Sequence, residues 1–346
     1  MSKLSNIIIG FAGIIIVLIY GQSILIPFVF ALLLWFTIRI FTSISKKIPV
    51  YGKIVPNIIK KIISTLVVFS VLFIVTQILL NSFNNIIKSH HDYDENISEL
   101  IITINNYFNV DIHAYLKTQT SEINIGLIAE KLFDAISNII SSTLMILLFA
   151  VFIFIEEVYF SKKMNQMFSS SNEKLKKINS TLFEIEWSVA RYLGIKTLIS
   201  LLTGFLSYVV FLLFKLDFAI FWAFLIFLLN FIPTIGSLLA TVFPGIFCLL
   251  QFGDFSVSLS MFFIVGFIQV FIGNFLEPKW LGNSMNISPL FSIISLVFWG
   301  MLWGTTGMVI SVPITVVILI ILSQFESTKS IAILLSEKGE IRQKNE

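Results

Sequence analysis

Charge is what this chain lacks. Only 12% of its residues are Asp, Glu, Lys or Arg, where a soluble domain carries about 25%. Between Thr197 and Phe325 the charged residues are Lys215, Asp217, Asp254, Glu277 and Lys279 and no others. Apolar runs of that length exceed the ~18 residues that mark a membrane helix, so the chain reads as an all-α, polytopic membrane helix bundle. Cysteine is nearly absent too. The single Cys248 cannot form an intramolecular disulfide and reads as a small core residue. Histidine is missing from every membrane segment, which argues against a Ser-His intramembrane hydrolase. His90, His91 and His113 all fall in one polar stretch, with no Cys beside them and no third ligand at a fixed spacing. A solvated loop is the better reading there than a metal site. There is no G-x-x-x-x-G-K-[ST], no H-E-x-x-H and no pair of membrane aspartates. The sequence therefore points to no enzyme, no cofactor and no nucleic-acid partner.

What is present is best taken in chain order. Residues 1–80 hold N-terminal membrane helices and a basic loop. Ile7–Tyr20 and Ile24–Ile38 are apolar runs parted by Gly21-Gln22-Ser23, which predict a tight helical hairpin with Pro27 in the first turn of its second arm. Arg39, Lys46, Lys47, Lys53, Lys60 and Lys61 follow without an acid, a cytoplasmic loop on the positive-inside rule. Lys3 agrees with a cytoplasmic N-terminus, and parity with a cytoplasmic C-terminus. Gly10–Tyr20 has the look of a signal-peptide core, but no small-residue cleavage site follows, so it reads as a retained helix. Ile62–Leu80 is a membrane helix. Residues 81–137 carry eight acids against three bases, an external segment in which Ile97, Leu100, Ile101, Ile104 and Phe108, and then Ile128, Leu132 and Ile136, follow amphipathic helical spacing. Residues 138–160 return through the membrane. Residues 161–196 are cytoplasmic, and there Leu175, Ile178, Leu182, Ile185, Val189 and Tyr192 recur at heptad spacing. That seam fits a helix packed under the bundle better than a subunit contact. Residues 197–325 form the membrane core, and 326–346 a polar cytoplasmic tail.

Within the core, two pairs of short apolar segments are interrupted. Phe218–Phe231 and Ile235–Leu250 are joined by Ile232-Pro233-Thr234, with Gly236 just beyond; Leu290–Trp303 and Met308–Leu322 are turned by Gly304–Gly307, with Gly300 before the turn and Pro313 in the second arm. Such pairs are the best sequence pointer to a transporter's binding site. Arms of 14–16 residues reach only about 21–24 Å, so they tilt or re-enter. Gly266, Gln269, Gly273 and Glu277 fall at steps of 3, 4 and 4, a small and polar stripe on one helix face that ends at Pro278. Glu277 is the candidate coupling carboxylate, because an ionisable residue at membrane depth is functional by default. Its structural alternative is a helix-end partner for Lys279 or Arg191. Asn230, Gln269 and Asn274 are candidate path-lining residues.

These motifs resemble a known family. L-N-F-I-P-T-I-G-S at Leu229–Ser237, N-F-L-E-P-K-W-L-G at Asn274–Gly282, the run Ser288–Pro313, and R-Y-L at Arg191–Leu193 are similar to the autoinducer-2 exporter-like (AI-2E) transporters. The resemblance implies a bacterial inner-membrane protein of about eight membrane segments, a homo-oligomer, and export of a small molecule. Some members are assigned to autoinducer-2 release, others to sodium or lithium–proton antiport, others are linked to sporulation. It also adds Arg191 to the transport candidates. Two departures stand out: Gly304 is followed by threonine where the family commonly has proline, and Gly194-Ile195-Lys196 replaces a more polar stretch, which weakens any transfer of role beyond Arg191. Three functions follow for test: a coupled exporter of a small polar molecule, with autoinducer-2 the named candidate; a cation–proton antiporter; and a scaffold that moves nothing.

Overall fold

The computed structural model describes residues 3–46, 125–168, 171–282, 286–337 and 339, with isolated positions between 56 and 102. Most of the expected Ile62–Leu80 helix, the three histidines and most of the external segment lie outside the described residues. Helices are α1 (Lys3–Tyr20), α2 (Gln22–Lys46), α3 (Ile125–Met167), α4 (Asn172–Leu213), α5 (Ala219–Leu229), α6 (Ile235–Phe252), α7 (Phe255–Phe271), a π-helical turn at Ile272–Leu276, α8 (Glu277–Leu281), α9 (Pro289–Ser323) and α10 (Glu326–Leu335). No strand occurs among the described residues. Six of these stretches are long and apolar enough to cross a membrane, and Ile9–Tyr20 and Ala219–Leu229 are shorter apolar helices. This is an all-α polytopic membrane protein.

The chain divides into two compact units: residues 1–65, 141–195 and 280–346, and residues 66–140 and 196–279. In the first, the expected N-terminal hairpin is absent. One residue links α1 to α2, the Gly21 amide donates to the Val17 carbonyl at 2.8 Å, and the Leu25 amide donates to the Gly21 carbonyl at 2.8 Å. Gly21 thus closes the last turn of α1 and opens the first turn of α2, and a single linking residue leaves no room for an antiparallel return. Pro27 accordingly lies inside α2, beyond its first turn. The count of crossings that placed the C-terminus on the cytoplasmic side, starting from a cytoplasmic Lys3, used that reversal, so it loses its basis.

The α9 hairpin is real. Trp303 (φ −128°, ψ 16°) and Gly304 (φ 62°, ψ −148°) leave helical geometry, and the Gly304 conformation is one that essentially only glycine adopts. The turn is therefore Trp303-Gly304, earlier than the expected Gly304–Gly307, and Gly307 already belongs to the second arm. A Cβ on Gly307 would run into the Trp299 carbonyl, so the arms touch backbone to backbone. Buried hydroxyls zip them together. Ser295 bonds to Thr315, Trp299 Nε1 donates to Thr315 Oγ1 at 3.3 Å, and Thr315 donates to the Ser311 carbonyl at 2.6 Å. Pro313 sits inside this second arm and is buried. Arms of about 14 and 19 residues span roughly 21 and 28 Å. Trp299, Trp303 and Ile310 pack on Leu18, Leu25, Val29 and Leu33 of α1 and α2, and Trp303 Nε1 donates to the Leu18 carbonyl at 2.9 Å.

The same unit buries one end of the heptad seam. Val189 is 1% exposed, and Tyr192 packs on Val312, Val316 and Ile320 of α9, whereas Leu182 is exposed. That end of the seam is spent inside the chain. Arg39 is tied in by charge: its guanidinium is 2.9 Å from Glu186 and 3.9 Å from Glu157. The Trp35 indole donates to Glu157 at 3.0 Å and lies under the guanidinium, 4.9 Å from ring centroid to Cζ.

The second unit is a helical bundle of the C-terminal half of α4 with α5, α6 and α7. Phe211, Ile226, Ala240, Cys248 and Met261 are fully buried at its centre. α5 and α6 are antiparallel, as Trp222 and Phe247 show with ring centroids 5.1 Å apart. A Cβ on Gly236 would run into the Leu229 carbonyl, the same backbone approach that closes the α9 hairpin. Asp254 caps α7 by accepting from the Ser256 amide at 2.7 Å, the favoured use of aspartate at a helix start. Asn96 donates to the Gln251 and Leu250 carbonyls at 2.6 and 3.3 Å, satisfying the C-terminal end of α6.

Candidate functional site

A cavity of about 1030 Å³ opens in the second unit. Its polar lining comes from Lys196 on α4, Asn230 and Thr234 at the α5–α6 turn, Ser237 and Thr241 on α6, and Gln269, Asn274 and Glu277 from α7 to α8. Phe262, Phe263 and Phe267 supply apolar wall. Among the described residues, Lys196 and Glu277 are its only charged lining.

The two charges are paired. The Lys196 ammonium donates to Glu277 Oε1, with side chains 5% and 20% exposed. A buried lysine needs such a partner, because an unpaired charge in apolar surroundings costs several kcal/mol. The expected structural partners for Glu277, Lys279 and Arg191, are not the ones it takes. Arg191 is exposed and lies in the other unit, its guanidinium 5.0 Å over the Trp187 ring. It does not line the cavity.

The α5–α6 turn gives the cavity a strained edge. Thr234 has φ 62° and ψ −57°, and the Ile235 amide donates to the Pro233 carbonyl at 2.6 Å. That is a classical γ-turn, rare and strained, at a β-branched residue for which positive φ is an outlier. Pro233 and Thr234 both line the cavity. Gly236 is the second residue of α6 and allows the tight return.

The α7 side is shaped by the π turn at Ile272–Leu276, where the Glu277 amide donates to the Ile272 carbonyl, five residues back. Pro278 explains it. Proline has no N–H to give and its ring clashes with the carbonyl four residues before, here Asn274. Widening by one residue relieves the clash. It also leaves the Gly273 carbonyl without the amides of residues 277 and 278. The bulge resets the helix phase. At about 100° per residue, Glu277 in a regular helix would stand some 80° round from Gln269; one inserted residue brings it to within about 20°. Gly266, Gln269, Gly273 and Glu277 all line the cavity, as the stripe predicted. Gln269 is 4% exposed, and its Nε2 has no hydrogen-bond partner.

Of the sequence candidates, Asn230, Pro233, Gln269, Asn274 and Glu277 meet at this cavity, and Pro278, next in the chain after Glu277, does not line it. Gly300, Gly304, Gly307 and Pro313 belong to the α9 hairpin in the other unit. Lys196 was missed. Its signal was available: a lone base followed by eighteen residues without charge, to Phe214. It was assigned to the end of a cytoplasmic segment, whereas α4 carries it without a break into the apolar stretch.

Comparison with known proteins places the chain among transport proteins. A relative in Borreliella burgdorferi is 37% identical over 238 residues, 65% of this chain and 64% of its own length. The AI-2 transport protein TqsA of Escherichia coli K12 is 36% identical over 206 residues, 60% of this chain and 58% of that protein. A Haemophilus influenzae relative is 34% identical over 201 residues, 58% of each chain. The chain thus matches less than two thirds of these relatives' own lengths. The profile of the AI-2E family transporters matches residues 5–327. With motifs, helical bundle and profile in agreement over nearly its whole length, the chain belongs to the AI-2E transporter family.

Proposed function

We propose that this protein is a secondary transporter of the bacterial inner membrane that exports a small polar molecule through the α5–α7 cavity, coupled to protons or cations at Glu277. The observation that carries this reading is the cavity itself: about 1030 Å³ in a strongly apolar bundle, holding one buried ion pair and a row of amides. Polar groups at such depth are expensive and mark substrate or ion paths. Asn230, Gln269 and Asn274 line the path. Pro233 and Pro278 hold the backbone away from regular helix at its edges, and the Gly304 turn does the same for the α9 hairpin. The name of TqsA supports autoinducer-2 as the first solute to test.

Uptake of labelled autoinducer-2 into proteoliposomes, with and without an imposed proton gradient, tests the reading. Gradient-dependent uptake that Glu277→Gln abolishes is the expected result. Uptake that is unchanged in a well-folded Glu277→Gln protein refutes the coupling role, and no uptake by folded protein removes autoinducer-2. A second reading, cation–proton antiport, rests on the Glu277 carboxylate at the cavity; sodium-induced dequenching of a pH dye in inverted vesicles separates the two. Assembly as a homo-oligomer belongs to the first reading, and native mass spectrometry reads it directly.

A further inference from the structure

Among the described residues lining the cavity, the one buried side-chain atom without a hydrogen-bond partner is a donor. Gln269 Nε2 is a buried donor with no acceptor, and leaving such a group unpaired costs about 1–3 kcal/mol. An ammonium has three N–H donors, and Glu277 Oε1 is the acceptor recorded for that of Lys196. A ligand that satisfies these groups must bring acceptors. A metal cation cannot do so, since N–H donors repel it.

The charge count sharpens this. With Lys196 and Glu277 both ionised, the charged lining among the described residues is neutral. Lys279 follows two residues after Glu277 but does not line the cavity, and α5, α6 and α7 contribute no charged residue to it. When Glu277 takes a proton, the lining carries one positive charge, on Lys196, whose partner is gone. One fixed charge and one amide donor lining the same cavity match a monoanion with two oxygens.

We infer, on the reading of this cavity as the transport site, that its solute is a small monocarboxylate which docks on Lys196 and Gln269 when Glu277 is protonated, so that one proton and one carboxylate bind together. Lys196 then serves two partners in turn. In the empty site it neutralises Glu277, and in the loaded site it holds the solute. By linkage, the proton tightens carboxylate binding by the same factor as the carboxylate tightens proton binding.

The test needs no flux, so its outcome is separate from that of the transport reading. The purified full-length protein is screened for thermal stabilisation by a series of two- to six-carbon monocarboxylates, each beside its neutral amide, at pH 6 and pH 8. The best carboxylate is then titrated by calorimetry in buffers of different ionisation enthalpy. The expected results are stabilisation by at least one carboxylate but not its amide, binding stronger at pH 6 than at pH 8, and uptake of about one proton per carboxylate at pH 8. Glu277→Gln, a near-isosteric neutral mimic, is expected to bind the same carboxylate at pH 8 with no proton uptake. Lys196→Gln is expected to lose the preference over the amide. Stabilisation by amides as strong as by carboxylates, no carboxylate effect across the series, or proton uptake retained in Glu277→Gln would overturn the inference. Should Lys196→Gln fail to fold, Glu277→Gln alone decides, since it leaves Lys196 in place.

Discussion

Gly236→Ala is the sharpest test of how the cavity edge is built. The new Cβ would overlap the Leu229 carbonyl, with the Leu229 carbonyl carbon and Ile232 Cβ also in its way. None of the backbone atoms is the free end of a side chain that could swing aside. The α5–α6 turn must open, and it is already held by the strained Thr234 and the fixed φ of Pro233. Overpacking of this sort costs about 1–3 kcal/mol, and with backbone as the obstacle the upper end applies. For a chain of this size, at about 2.1 cal/mol/K of unfolding entropy per residue, the upper end is a loss of roughly 4 °C in Tm. The protein supplies its own reporter. Cys248 is the only cysteine in the chain and is fully buried in the same unit, so a thiol-reactive fluorogenic dye reads the unfolding of that unit directly. Gly273→Ala is the control, because a Cβ there meets nothing within 4 Å; its melting is expected at or slightly above the wild-type temperature, since alanine is favoured over glycine in a helix by roughly 0.5–1 kcal/mol. Equal melting of Gly236→Ala and wild type would refute the backbone-contact argument, and with it the account of the hairpin.

Other substitutions probe separate parts of the same reasoning. Thr234→Gly removes a β-branched residue from a γ-turn, and relief of about 1–3 kcal/mol is expected as a raised melting temperature in the same dye assay. Trp303→Phe leaves the Leu18 carbonyl without its indole donor; a loss of about 1–3 kcal/mol is expected, read as faster hydrogen exchange in Leu18–Leu25. Asn96→Ala uncaps α6, and faster exchange at the end of α6, with a cost near 1 kcal/mol, is expected by mass spectrometry.

Where sequence logic worked, a strong physical cause dominated. A membrane offers no water to unpaired backbone, so long apolar runs had to be helices. Proline and glycine at Pro233 and Gly304 had to break them. The stripe Gly266, Gln269, Gly273 and Glu277 was legible because helical spacing puts small and polar residues on one side. Where sequence logic fell short, the deciding contact was distant in the chain. Lys196 meets Glu277 across 81 positions, and nothing local marks that pairing. Arg191 illustrates the opposite error: five residues earlier on the same helix, it was favoured for its motif, yet its guanidinium rests on Trp187. The Gly21-Gln22-Ser23 break looked like a hairpin turn because those residues are common in turns, but Gly21 alone links the two helices, and Gln22 and Ser23 already belong to the second.

The π turn makes chain length itself a functional quantity. Between Gln269 and Pro278 the register is tuned to the residue, as a vernier is to its scale. Removing one residue from Ile272–Leu276 would restore regular helix and keep every side chain that lines the cavity except the lost one. It would also leave one residue fewer between Pro278 and the helix that precedes it, pressing the proline ring back on a carbonyl. Substitutions in this segment are therefore cheaper than deletions, and relatives that keep the proline are expected to keep the spacing from Gln269 to Glu277 even where the intervening residues drift.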